Sequence, residues 1–566
     1  MGGDAALGEA SRAVLRATAA WPGEDDWPDV VHRVATAVAQ AEPAAQRAEW
    51  SKRFASWMLE GCFFPSIPIL ANAGRGGPLE ACFVLELEDS LVSIYDSLRR
   101  AALIQQGSGG AGIHFSKLRA RGTPIERSGG RSPGPCAFVE LYAQSARTNA
   151  LAGRRAGAHL AVLRDDHPDV LDFVRLRRER GEALRGIGLA LGVSDALLDA
   201  ARQGREHALR DASGRARGAL SARRLLREIA LSIRENGEPT LLFLDRIAAD
   251  NPLPELGRIE ATNPCGEQPL LPDESCVLGS LSLPAFADAR GRLDAARLRA
   301  AVGDAIRFLD DVIDVSVYPD ARLAQAARRT RKLGLGLMGF VDLLIRREEV
   351  YGSPESLATA DELMRLVAQA SDAATRSLAG ERGGHPACHP ELPARRNATC
   401  LAIAPTGTLR LLAGCGGGFE PLLAPVVRVR AETGELRWSE VEVERLLAER
   451  GAPEPVLEAL AAGVPAAELP GLDAAARALL RRGHEIDAEA QLALQAVFQR
   501  HVDGAISKTL HLPAATDVER IEALVFRARE QGCKGAAFFA GGSLAAPEIE
   551  LAALSCAECE VGSAPR

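Results

Sequence analysis

From residue 159 to residue 350 the chain repeats one pattern: a short apolar run, then a longer segment with helical spacing. HLAVLRDD leads into DVLDFVRLRRER, GIGLALGVSD into ALLDAARQ, and KLGLGLMGF into VDLLIRREEV, with TLLFLDRI between. CLAIAPTG from Cys400 and KGAAFFAGG from Lys534 add later strand-like runs. Parallel strands cannot be joined by tight turns, and each crossover takes a dozen or more residues, usually a helix. Alternation sustained this long predicts an α/β fold with much parallel sheet, and its extent suits a barrel. At 566 residues the chain exceeds one ordinary domain, so lobes beyond the barrel are expected. Helical spacing in DVVHRVATAVAQA and EWSKRFASWMLEGC predicts a helical N-terminal lobe over 1–65. The Ala-, Leu- and Glu-rich stretch about 440–500 reads as a helical insertion within a barrel domain spanning 66–542, and 543–566 as a flexible tail.

Composition removes several function classes. A net charge of −8 argues against a non-specific nucleic-acid surface. No run of eighteen apolar residues appears, and MGGDAALGEASR lacks the charged-then-apolar pattern of a signal segment, so a cytoplasmic enzyme with no membrane contact is expected. Eleven scattered cysteines then read as reduced thiols, and Cys62, Cys136, Cys388, Cys400 and Cys533 as small buried hydrophobes.

Some attractive patterns fail their own requirements. GSGGAG at 107–112 and GLGLMG at 334–339 both match G-x-G-x-x-G, but that fingerprint needs strand, turn and helix in order. The first precedes IHFSKLR and reads as surface loop; the second follows the basic run RRTRK. Asp165 and His167 in RDDHPDV resemble a metal pair, yet a helix N-cap at Asp166 or Asp169, with Pro168 in the first turn, suits them better. Cys556 and Cys559 form the chain's single Cys-x-x-Cys, too few ligands for zinc, and read as a redox dithiol near the chain end; no metal site is predicted.

The stretch ATNPCGEQPLLPDESC, residues 261–276, carries the most chemistry. Pro264 and Gly266 hold Cys265 on a stiff turn that another molecule can approach closely. Glu267 is a general base on the same turn, and the amide of Asn263 can both donate and accept. A second thiol, Cys276, follows, and reduction by two thiols needs a further cysteine from elsewhere. In PTGT at 405–408 a strand-like run enters a glycine turn, a setting for phosphate at Pro405, Thr406, Gly407 and Thr408.

NPCGE followed by CVLGSLSL resembles the finger loop of ribonucleotide reductases. Five further blocks resemble the family in its order: PILANAGRGGPLEACFVLELEDSL, GRRAGAHLAVLRDDHPDVLDFV, TRKLGLGLMGFVDLLI, RNATCLAIAPTGT and ISKTLHLPAATDVERIEALVFRAREQGCKGAAFF, within residues 50–542. The resemblance implies a ten-stranded α/β barrel with the finger loop at its centre. It implies a thiyl radical on Cys265 that removes the ribose 3′-hydrogen, with Glu267 taking the 3′-hydroxyl proton. It implies that Cys82 and Cys276 protonate the departing 2′-hydroxyl, supply two electrons and become a disulfide. Cys556 and Cys559 would reduce that disulfide, themselves recharged by thioredoxin or glutaredoxin.

The family divides by radical source. No tyrosine follows Tyr351, and FFAGGS stands where oxygen-dependent members carry a tyrosine pair. Gly562 lacks the surround of a glycyl-radical site. The chain therefore looks most similar to the adenosylcobalamin-dependent class. Departures from the family pattern are Ile67, Gly186, Gly188, Arg410, Gly416 and Gly417, each in place of a polar group expected near the pocket; Arg410 offers a guanidinium for phosphate instead. They leave open a radical enzyme on another nucleotide-like substrate, or a silent nucleotide-binding homologue. Residues 1–50 are too short for a regulatory ATP-binding cone, so no overall-activity switch is expected. The resemblance also allows a homodimer and a deoxynucleotide effector near 105–155, where Arg119, Arg121, Arg154 and Arg155 are available.

Overall fold

The structure, a computed structural model, describes residues 7–150, 157–391, 393–423, 426–431, 434–452, 454–541 and 548–550. Cys556, Cys559, Arg154 and Arg155 lie outside the described residues.

Three amphipathic helices come first: α1 (Glu9–Thr18), α2 (Trp27–Val38) and α3 (Arg47–Leu59). Asp26 caps α2 through a capping box, and Val30, Val31, Val34 and Val38 are buried along one face. These helices share one hydrophobic cluster with half of the sheet that follows.

That sheet contains ten strands: β1 (Phe63–Pro65), β2 (Cys82–Leu85), β3 (Gly110–His114), β4 (His159–Arg164), β5 (Ile187–Val193), β6 (Thr240–Phe243), β7 (Ser275–Ser282), β8 (Leu333–Met338), β9 (Thr509–Leu512) and β10 (Gly535–Ala540). β2, β3, β4, β5 and β6 run parallel side by side. β7 is parallel to β8, and β9 to β10. Residues 401–403 complete this second half, since Leu335 bridges Leu401 and Ile403 bridges Ile506, both in parallel. Two antiparallel seams join the halves, β2 with β7 and β6 with β10. The ring is thereby closed with ten members, and β1 flanks it on β7. The expected ten-stranded α/β barrel is the observed fold.

Several local readings change. GSGGAG, read as surface loop, runs into β3 of the barrel wall. GLGLMG likewise falls on a strand, β8. In RDDHPDV the helix begins at Val170, so Pro168 lies before the first turn. Asp169 holds the N-cap position without capping, because its carboxylate accepts from the Arg121 N–H at 2.8 Å. Asp165 accepts from the Ser194 N–H and hydroxyl, both at 2.7 Å. Among the described residues no cluster of His, Cys, Asp and Glu is arranged to hold a metal ion, and no helix is long and apolar enough to cross a membrane.

Candidate active site

Residues 261–270 form a β-hairpin inside the ring. Ala261 pairs with Leu270 and Thr262 with Pro269, and the Asn263 N–H donates to the Gln268 carbonyl at 3.2 Å. The Gly266 N–H turns back onto the Asn263 carbonyl at 3.1 Å, and Gly266 has φ +86°. Cys265 is therefore held at the tip, half-buried, while Asn263 and Glu267 are buried below it.

The wall is stripped of side chains where the hairpin passes. A Cβ on Gly112 would lie 1.8 Å from the Thr262 carbonyl oxygen, and one on Gly334 would lie 2.2 Å from the Gln268 amide nitrogen. A Cβ on Gly110 would lie 2.9 Å from Pro264. Opposite, the Ala505 N–H donates to the Glu267 carbonyl at 2.8 Å. Both G-x-G-x-x-G stretches thus supply glycines that admit the hairpin.

Cys82 and Cys276 are brought together from distant parts of the chain, as directly opposed residues across β2 and β7. The Cys82 sulfur receives the Asn263 amide N–H at 3.0 Å and stands 3.8 Å from the Glu267 carboxylate. Asn263 is fixed from its other side, where its oxygen accepts from the Thr262 hydroxyl at 3.1 Å and the Gln268 N–H at 2.9 Å. Burial pushes the Cys276 thiol well above its ordinary range, and the nearby Glu267 charge adds to the effect.

Cys82, Asn263, Cys265 and Glu267 line one cleft of about 670 Å³, counting its open mouth. Pro405 and Thr406 line it too, as do Ser66, Ile67 and Ser280. Gly407 and Thr408 belong to the same turn but are not part of the lining. Thr406 sits at φ +54°, an uncommon conformation for a β-branched residue, and its hydroxyl accepts from the Gly418 N–H at 2.8 Å.

Arg410 does not point to a phosphate. It pairs with buried Glu440 at 3.4 Å and lies over the Trp438 ring at 5.0 Å. Gly416 and Gly417 belong to this arrangement. A Cβ on Gly417 would lie 2.9 Å from the Pro405 carbonyl and 3.3 Å from the Arg410 Cδ. The Gly416 N–H donates to Asp342 at 2.7 Å. Three of the sequence departures are therefore one packed unit behind the Pro405–Thr406 turn, while Ile67 faces the cleft. Gly186 and Gly188 lie at and within β5 and are not part of the cleft lining. Sequence reasoning gave no role to Ser66; a polar residue beside the altered position 67 was the available signal.

Residues 80–391 and 393–539 match the family model described as ribonucleotide reductase, barrel domain, and residues 6–78 match ribonucleotide reductase, all-alpha domain. The chain is 42% identical over 519 residues to a vitamin B12-dependent ribonucleoside-diphosphate reductase of Mycobacterium tuberculosis, covering 90% of this chain and 74% of that relative. A protein of the same description from Thermoplasma acidophilum is 34% identical over 85% of this chain and 64% of its own length. Among solved structures, the Actinobacillus ureae class Id ribonucleotide reductase alpha subunit shares the fold, with TM-score 0.79, 22% identity and coverage of 95% of this chain and 98% of that one.

Proposed function

The chain belongs to the ribonucleotide reductase family, and from that premise we propose that it reduces ribonucleoside diphosphates to their 2′-deoxy forms, with adenosylcobalamin as radical source. The observation that carries this reading is the pairing of Cys82 with Cys276 directly beneath the hairpin that presents Cys265 and Glu267.

Ala81, Ser108, Gly110, Gly157 and Ala158, all small, line the same cleft as Cys265. Small side chains there leave room for adenosylcobalamin, which these residues would face. When bound, the coenzyme supplies the one-electron oxidant through its cobalt–carbon bond. Phe538 and Phe539 on β10 carry no phenolic proton for a route from a second subunit.

Cys265, having lost its hydrogen atom, removes the ribose 3′-hydrogen. Glu267 takes the 3′-hydroxyl proton. Cys82 protonates the 2′-hydroxyl, which leaves as water; the Asn263 amide holds that sulfur in line. The sulfurs of Cys82 and Cys276 give two electrons and the remaining thiol hydrogen to the sugar and join, and Glu267 returns its proton to the 3′-oxygen. Cys265 then returns its hydrogen atom to C3′. One ribonucleotide and two thiols become one deoxyribonucleotide, one water and one disulfide. Pro405 and Thr406 take the substrate phosphate end, with Gly407 and Thr408 shaping the turn.

Resupply falls to Cys556 and Cys559, recharged by thioredoxin or glutaredoxin in the cytoplasm. A homodimer is part of the reading, supported by Leu91, Val92 and Tyr95, which are exposed on the helix Leu91–Gln106. A deoxynucleotide effector would bind beside that helix. Arg119 and Arg121 are paired there with Asp89 and Asp172, at 2.6 and 3.0 Å.

The test is anaerobic incubation with adenosylcobalamin, a dithiol and each of the four ribonucleoside diphosphates. Deoxynucleoside diphosphate is expected; no deoxy product from any of the four overturns the reading.

A further inference from the structure

We propose that the Ser66 hydroxyl is a ligand for the substrate's phosphate groups, a role that rests on the function proposed above. Ser66 precedes the short helix Ile67–Asn72 at its N-cap position, yet its side chain makes no capping hydrogen bond. Pro68, at the second position of that helix, has no N–H to offer. The residue is only 7% exposed, and its hydroxyl has no hydrogen-bond partner within the protein. Burying a hydroxyl without a partner costs stability. The residue lines the cleft that holds Cys265 and Glu267, so the partner within its reach is a group that enters the cleft.

Register places it toward the phosphate end. The Ser66 N–H donates to the Leu278 carbonyl at 3.0 Å, and Leu278 lies two residues beyond Cys276 on β7. Two residues further, Ser280 pairs with Gly336, whose Cβ would lie 2.6 Å from the Ala402 carbonyl and 3.5 Å from the Ala404 nitrogen. Ser66 therefore stands on the wall between the redox thiols and the Pro405–Thr406 turn. Ser280 also brings a hydroxyl to the cleft lining, while other nearby groups are committed or apolar. Ile67 presents hydrocarbon, Arg410 is turned to Glu440, and the Thr406 hydroxyl is engaged by Gly418. A serine hydroxyl in that position donates one hydrogen bond to an anionic oxygen.

The test is Ser66→Ala, with binding of each ribonucleoside 5′-diphosphate and of each parent nucleoside measured by calorimetry on the full chain. Diphosphate affinity is expected to fall about tenfold, as for a hydrogen bond to a charged group, with nucleoside affinity unchanged. In turnover, KM rises by the same factor and kcat is retained. The free variant melts at or above the wild-type temperature, because an unpaired buried hydroxyl has been removed. Equal diphosphate affinity in variant and wild type overturns the assignment to Ser66 alone, as does an equal loss for nucleosides. A wild-type chain that binds no diphosphate overturns the functional reading, and this inference with it.

Discussion

Cys82 and Cys276 face each other across adjacent antiparallel strands, both buried, as registered partners of β2 and β7. Opposed residues in such a pair have Cα atoms about 4.5–5.5 Å apart, inside the range of about 4.4–6.8 Å that a disulfide accepts. Oxidation therefore needs little backbone movement. One turnover without external dithiol, in a Cys556→Ser, Cys559→Ser variant that cannot pass the disulfide on, should leave one disulfide linking the peptides that contain these two residues, seen by mass spectrometry after acid quench. Cys276→Ser should lower steady-state turnover by about a hundredfold or more. A disulfide between other cysteines, or none after product has formed, would remove this pair from the chemistry.

Cys265 is the thiol at the hairpin tip, and its role is separable from binding. Cys265→Ser keeps the turn, since Pro264 and Gly266 set its geometry. Nucleotide affinity should stay within about twofold, while deoxy product falls by roughly a thousandfold or more. Calorimetry and product analysis on one preparation check both. Undiminished product formation would show that a different group oxidises the sugar.

The glycine wall makes a steric prediction. Gly112→Ala would set a Cβ 1.8 Å from the Thr262 carbonyl, against backbone that cannot step aside cheaply. It should destabilise the fold by about 1–3 kcal/mol, as overpacking does, and reduce activity further by shifting Cys265. Gly303→Ala is the control, on the helix Ala295–Val315 with nothing within 4 Å. It should stabilise by about 0.4–1 kcal/mol. Thermal melting distinguishes the two, and equal effects would mean the hairpin does not thread this wall.

The finger-loop motif was legible because its geometry is local: NPCGE contains its own turn and its own chemistry. The strand–helix alternation gave the α/β class for the same reason. Tertiary partners were not legible. Arg410 invited a phosphate because Glu440 stands thirty residues away, and nothing local marks that pairing. The glycines of GSGGAG read as loop because glycine weakens strands in isolation. Here they are glycine because another backbone occupies the space. The partnership of Cys82 with Cys276 came from resemblance alone, since pairing across a seam between half-barrels leaves no trace in spacing.

The unit behind the Pro405–Thr406 turn should respond to pH. Burial raises the Glu440 carboxyl from 4.5 to about 8, with the Asp342 charge adding and Arg410 opposing. Burial also raises Asp342, to about 6, with the Glu442 charge adding and the Gly416 N–H and Arg346 opposing. A carboxyl with a raised folded-state pKa holds its proton in the folded chain after the unfolded chain has released it. Its contribution to stability is then full below the unfolded value and is lost as pH rises through the folded value. For Glu440 that window runs from about pH 4.5 to about 8. One such proton limits the slope to about 1.4 kcal/mol per pH unit. Glu440→Gln removes this titration while keeping an oxygen for Arg410. Its melting temperature should fall less between pH 6 and pH 8.5 than that of the wild type, which scanning calorimetry in matched buffers measures. Parallel melting curves against pH for the two proteins would mean that Glu440 is ionised throughout and that its pairing with Arg410 is an ordinary salt bridge.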